Sequence, residues 1–183
     1  MADLSKLPLW TEGDNVLVVV ETPRNARVKL AYDPGLQCFV MSRALLIGLH
    51  YPYDWGFLPS TLGPDGDPLD ALVIHDAPTS PGLVLRCHVA GAVKVSQTAK
   101  GKTERNDRFI AVPEHDRRAE ELKDARDLPK SVRLQIEEFF SVSVITEEKK
   151  LEFLGWAGAE EALKLIRAGE KTFRSKLKER AKS

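Results

Sequence analysis

Along the first two-thirds of the chain, apolar positions recur at short range with turn residues between them. VLVVVE (16–21) is a dense β-branched run, and RVKLAY (27–32) alternates apolar with polar as a half-buried strand does. Asp33-Pro34-Gly35 is a turn signal ahead of QCFVM (37–41). Further strands are predicted over ALLIGL (44–49), ALVIH (71–75), LVLRCHVAGAVKV (83–95) and RFIAV (108–112). Their length and spacing suit a small antiparallel barrel.

The period changes in the last third. From Pro129 to about Val142, Val132, Ile136, Phe139 and Phe140 fall on one helical face, with Pro129 at the favoured first-turn position. A second helix is predicted from about Gly158 to Leu177, with Leu163, Ile166, Phe173 and Leu177 on one side; the tail RSKLKERAKS (174–183) is basic and expected to fray. The pattern predicts an α+β fold, mainly β, with helices packed outside a barrel. No repeat or linker divides the chain, so residues 1–183 are expected to form one domain.

Composition narrows the function. With 43% hydrophobic and 30% charged residues, the 183-residue chain reads as a globular protein with a sizeable core. Lys plus Arg and Asp plus Glu both number 27, and this balance argues against a nucleic-acid partner recruited by bulk charge. No run approaches the roughly 18 apolar residues of a membrane span, and MADLSKLPLW lacks the pattern of a secretory signal. A cytoplasmic location is expected, with Cys38 and Cys87 as free, buried thiols.

Candidate chemistry concentrates in PDGDPLDALVI (64–74). In an extended segment Asp65 and Asp67 point the same way, and Pro68 bends the path to bring Asp70 towards them. Such a group is either a solvated acidic turn or a site for a hard cation such as Mg²⁺, which takes one or two carboxylates plus waters and phosphate oxygens. An EF-hand is excluded by the proline inside the repeat and the missing sixth-position glycine. HYPYDWGFLPSTL (50–62), just upstream, supplies Tyr51, Tyr53, Trp55 and Phe57; each suits core packing, and the phenols could instead donate to phosphate oxygens or hold a water. Lys29 and Arg43 are isolated cations on predicted strands, costly in a barrel mouth unless they meet an anion. The histidines His50, His75, His88 and His115 lack ligand spacing, and His75 is expected at a surface or strand-end position.

These landmarks resemble the soluble family I inorganic pyrophosphatases. DGDPLDALV is similar to the family's D-x-D-P-x-D signature, preceded by the tyrosine-proline segment YPYDWGFLP, and ETPRNARVK resembles an early E-x-P…K pattern carrying Glu21 and Lys29. RFIAVP, DLP, IEEFF and EFLGW follow in the family's order. The resemblance implies a five-stranded OB-like β-barrel flanked by C-terminal helices, often in homo-oligomers, hydrolysing pyrophosphate with several Mg²⁺ ions. By position, Asp65 and Asp70 would ligate Mg²⁺, Asp67 would help deprotonate water, and Lys29, Arg43 and Tyr51 would hold the phosphates.

Several positions depart from the family pattern. Counted back from Ala111-Val112-Pro113, an acidic metal ligand falls on Asn106, an acidic pair on Gly101 and Lys102, and a lysine on Arg108. An acidic residue becomes Ala31, a tyrosine becomes Trp55, and an expected Tyr-Lys pair falls on Ser143 and Val144. Asn106 still offers a neutral oxygen to a metal, and Arg108 a contact to phosphate. Lys100, Lys102, Arg105 and Arg108 make the loop basic; they either clamp phosphate in place of metals or form a mobile charged loop. Three functions remain open: a pyrophosphatase with weakened or altered metal demand, a hydrolase of another phosphate or phosphoanhydride, or a non-catalytic phosphate-binding relative.

Overall fold

The computed structural model describes residues 3–114 and 121–180; His115 and the last three residues of the basic tail lie outside them. In chain order the strands are β1 (Val16–Thr22), β2 (Val28–Asp33), β3 (Cys38–Ala44), β4 (Asp54–Leu58), β5 (Leu69–Val73), β6 (Val84–Ala99), β7 (Lys102–Arg105), β8 (Arg108–Pro113) and β9 (Lys149–Gly158). Two helices, α1 (Lys130–Ser143) and α2 (Ala159–Arg180), flank β9 in sequence.

Strands β1, β4, β5, β8 and β6 pair in that order, and β1 pairs again with β6, so five strands close an OB-like ring. The ring is not wholly antiparallel as the spacing predicts. Strands β5 and β8 run parallel, with Asp70 opposite Arg108, because the chain between them traverses β6 and β7 before returning. Strand β6 is long enough to leave the ring and pair with β7 and β9, and it bends at two bulges, one opposite β8 and one opposite β9. Strands β2 and β3 form a separate two-stranded sheet, with Lys29 opposite Arg43.

Period-2 alternation gives the ring strands two apolar faces. One face carries Val16, Val18, Ala71, Val73, Phe109 and Ala111, and packs with Ala162 and Ile166 of α2. The other carries Trp55, Leu72, Ile110 and Val112, and packs with Ile136, Phe139 and Phe140 of α1. Asp70 and Arg108 are in phase with this second face. At the β1–β4 crossing the backbones nearly touch, since a Cβ on Gly56 would lie 1.9 Å from the Val19 carbonyl oxygen.

Three strands escape the pattern. Strand β4 is buried at every position, so it shows no alternation; β7 and β9 lie in stretches whose charge conceals them. Conversely, ALLIGL is no strand: β3 ends at Ala44, and Leu46 and Ile47 face solvent, Ile47 at 107% relative exposure. Pro129 caps α1 from just outside it, the helix starting at Lys130. Cys87 is buried as expected and Cys38 is exposed. Phe173 and Leu177 lie beyond the covered half of α2, and Leu177 is exposed.

Candidate active site

The acidic segment forms a tight turn rather than an extended run. The Gly63 amide donates to the Asp67 carbonyl at 2.7 Å, and the Gly66 amide to the Gly63 carbonyl at 3.1 Å. Gly66 takes φ of 90°, which a side chain would strain. Thr61 anchors the return into β5: its buried hydroxyl donates to the Leu58 carbonyl at 2.6 Å and accepts the Leu69 amide at 2.9 Å. Asp65 and Asp67 are thereby held at the exposed tip, with Asp70 deeper on β5.

A cavity of about 260 Å³ lies beside this turn, against the C-terminal end of α1. It is lined by Lys29, Arg43, Tyr51, Asp65, Asp67, Asp70, Asn106 and Arg108, all eight residues singled out from sequence, together with Gln97, Glu147 and Lys149. Lys29 and Arg43 reach it as cross-strand partners on β2 and β3. The Arg43 guanidinium also donates to the Ser143 carbonyl at 2.8 Å, closing the C-terminus of α1 where the helix dipole favours a cation. Glu147 pairs with Arg43 and, at 2.6 Å, with Lys149. Burial alone would raise the Glu147 carboxyl; the Lys149 hydrogen bond and the charges of Arg43 and Lys149 hold it below the usual range instead.

Arg108 is the most enclosed cation of the group, at 5% relative exposure. It pairs with Asp70 at 2.8 Å and donates to the Asn106 backbone carbonyl at 2.6 Å and to the Asn106 side-chain oxygen. Its guanidinium lies 5.4 Å from the Trp55 ring centroid and 5.6 Å from that of Phe140. Asn106, expected as a metal ligand, therefore directs its oxygen to Arg108. Nε of Arg108 and Nε of Arg43 are buried without a hydrogen-bond partner among the described residues.

Burial raises the Asp70 carboxyl above the ordinary range, while Arg108 and Lys29 pull it back. Asp65 is raised by partial desolvation, reinforced by the negative charges of Asp70 and Asp67. Burial also pushes the Tyr51 phenol up, so it stays protonated as a donor. Glu21, at the end of β1, borders an adjoining pocket of about 380 Å³ that shares Lys29, Asp67 and Asp70 with the first. Its carboxyl is pushed up to about 7 by burial, although the Tyr32 amide donates to it at 2.7 Å.

The basic loop is a β-hairpin, and most of its charge points away from the site. Arg105 closes on Asp107 at 2.8 Å, Lys102 pairs with Glu104, and of the four cations only Arg108 lines the 260 Å³ cavity. His75 is buried rather than surface-placed, its Nε2 2.7 Å from the Asp54 carboxylate, and it does not line this cavity. Sequence reasoning missed Glu147 and Lys149, whose spacing of two residues across the start of β9 was the available signal.

A closed OB-like ring carrying one pocket of interleaved carboxylates and cations defines the class of protein. The profile of the inorganic pyrophosphatase family matches residues 18–174. An inorganic pyrophosphatase of Synechocystis sp. is 34% identical over 172 residues, covering 94% of this chain and 99% of that protein. One from Thermus thermophilus is 36% identical over 172 residues, covering 92% and 96%. The crystal structure of inorganic pyrophosphatase from Thermus thermophilus superposes with a TM-score of 0.86 at 32% identity, covering 94% of this chain and 99% of that one. The chain belongs to the inorganic pyrophosphatase family.

Proposed function

We propose that this protein hydrolyses inorganic pyrophosphate to two phosphates with Mg²⁺. One observation carries the reading: three aspartates share a cavity with Lys29, Arg43, Tyr51 and Arg108, and two of its guanidinium groups keep a buried Nε–H without an acceptor. A polyanion with several oxygens is the ligand that such a set of cations and donors suits.

The donor set suits a hard cation held by few protein ligands. Asp65 and Asp67 face no cation within ion-pair distance among the described residues, and Mg²⁺ needs only one or two carboxylates beside water and phosphate oxygens. Asp65 and Asp70 would hold the ion, which when bound acidifies water and offsets phosphate charge.

The remaining roles follow from side-chain chemistry. Lys29 and Arg43 bind one side of the diphosphate, and Arg108 another, as cations already gathered at the cavity. Tyr51, protonated by its burial, donates to a phosphate oxygen. Asp67, at the exposed tip, accepts the proton of the attacking water. Water's oxygen joins one phosphorus, the bridging bond to that phosphorus breaks, and two phosphates leave.

The 380 Å³ pocket favours a second reading. Its walls include Phe57, Phe173 and Leu177 beside Lys29, Asp67 and Asp70, so it can accept the organic group of a substituted diphosphate. Phosphate release measured over a wide Mg²⁺ range, from pyrophosphate and from a panel of organic diphosphates and phosphomonoesters, separates the two. Asp67→Asn is expected to lower turnover by roughly a hundredfold or more. Absence of release from pyrophosphate, or an Asp67→Asn variant equal to wild type, refutes the primary reading.

A further inference from the structure

Three residues that depart from the family pattern, Trp55, Asn106 and Arg108, meet in space. Trp55 lies against the Arg108 guanidinium at 5.4 Å, and Asn106 accepts from it with both its backbone and side-chain oxygens. The assembly aims Arg108 at Asp70, 2.8 Å away, across the parallel β5–β8 pair. Lys29, Arg43, Arg108 and Lys149 face Asp65, Asp67, Asp70 and Glu147 around one cavity, four cations against four carboxylates. The cavity is thus charge-balanced before any ion or substrate enters.

Within that balance Asp70 has a dedicated cation and Asp65 and Asp67 have none among the described residues. A divalent ion approaching the substrate-free protein competes with Arg108 for Asp70. The guanidinium has a second use, because Arg108 also borders the cavity that a phosphate would enter. An entering phosphate offers oxygens to the guanidinium and draws it away from Asp70.

We infer that Arg108 is a shared cation that blocks Asp70 in the substrate-free protein and releases it to the metal when phosphate binds, so that metal and phosphate bind cooperatively through this one side chain. The inference rests on the phosphate-binding part of the proposed function and not on turnover. Arg108 acts here as a positioning residue towards the metal. Cooperativity of this kind is reciprocal: phosphate tightens the metal by the same factor as the metal tightens phosphate.

Mn²⁺ binding followed by electron paramagnetic resonance, with and without inorganic phosphate, tests this without any catalysis. In wild type, phosphate is expected to tighten Mn²⁺ at least tenfold. Arg108→Gln, which keeps hydrogen-bonding capacity, is expected to bind Mn²⁺ at least tenfold more tightly than wild type without phosphate and to lose most of the phosphate effect. Because an unfolded chain also bares its carboxylates, the gain is read on protein whose near-ultraviolet circular dichroism matches wild type. Asp70→Asn in the wild-type background is expected to weaken phosphate-free Mn²⁺ binding less than threefold, and in the Arg108→Gln background to abolish the gain. Metal affinity in Arg108→Gln at or below the wild-type value overturns the inference. So does a tenfold loss in Asp70→Asn alone, or a gain that survives Asp70→Asn. Simple ligation of Mn²⁺ by phosphate predicts coupling in wild type but no change on replacing Arg108. Failure to release phosphate from pyrophosphate would refute the proposed reaction and leave these binding results standing.

Discussion

Replacing Glu21 by Gln is expected to stabilise the protein at alkaline pH and leave it nearly unchanged in acid. Glu21 ends β1 beside the Asp67 and Asp70 carboxylates, and burial is the main reason its carboxyl is raised from 4.5 to about 7. Below the lower value both folded and unfolded chains carry the proton, and the group costs nothing. As pH climbs from 4.5 towards 7 the unfolded chain ionises while the folded one keeps its proton, so stability falls; above 7 the full cost is present. A displacement of this size corresponds to about 3 kcal/mol. Residual solvent contact screens part of it, leaving an expected effect of about 2 kcal/mol. Gln has an oxygen that can still accept the Tyr32 amide, so the variant removes the charge and keeps the hydrogen bond. Thermal melts in EDTA should therefore agree within a few degrees near pH 5 and differ by roughly 4–8 °C at pH 8, with Gln the higher. EDTA matters because a bound cation would itself favour the ionised carboxylate. A stabilisation that is the same at both pH values, or a destabilisation at pH 8, would refute the account.

Two further outcomes test the scaffold. Gly56→Ala places a methyl 1.9 Å from the Val19 carbonyl, inside the backbone of the neighbouring strand, and should cost more than the roughly 1–3 kcal/mol of ordinary overpacking, read as a fall in urea midpoint. Asp54→Ala strips a fully buried carboxylate from the Arg24 amide, His75 and the Thr79 hydroxyl, each 2.7 Å away, and should cost roughly 3–5 kcal/mol by the same measurement. A loss under 1 kcal/mol in either variant would contradict the packing described.

Strands are legible where the chain alternates or runs β-branched, and are concealed where aromatic and acidic residues interrupt the pattern. RVKLAY alternates and was legible as β2, whereas DWGFL is buried throughout and its aromatic residues read as a site neighbourhood instead of a strand. ALLIGL misleads for the opposite reason, its apolar side chains being left on the surface. In the site, the residues brought together are those whose type is unusual for its place: three aspartates beside prolines, and lone cations on strands. Charge alone was a poor guide to direction. Lys100, Lys102, Arg105 and Arg108 look alike as a basic loop, yet hairpin register sends Arg105 to Asp107 and only Arg108 to the cavity. Glu147 and Lys149 were easily missed because Glu147, which pairs with Lys149, gains its place in the site from Arg43, which reaches it from a different sheet.

The parallel pairing of β5 with β8 sets when the site can exist. Asp70 and Arg108 are register partners in strands that no hairpin can join, so neither meets the other until the intervening β6 and β7 have been laid down and the ring has shut. Contacts of such separation form slowly, because chain entropy is spent before they return any stabilisation. A partly assembled chain therefore holds the exposed acidic turn without its guanidinium partner, three unbalanced carboxylates open to any divalent ion in solution. With Asp70 as a metal ligand, as proposed, metal capture and barrel closure would compete for the same aspartate during folding, and refolding with excess Mn²⁺ is expected to be delayed.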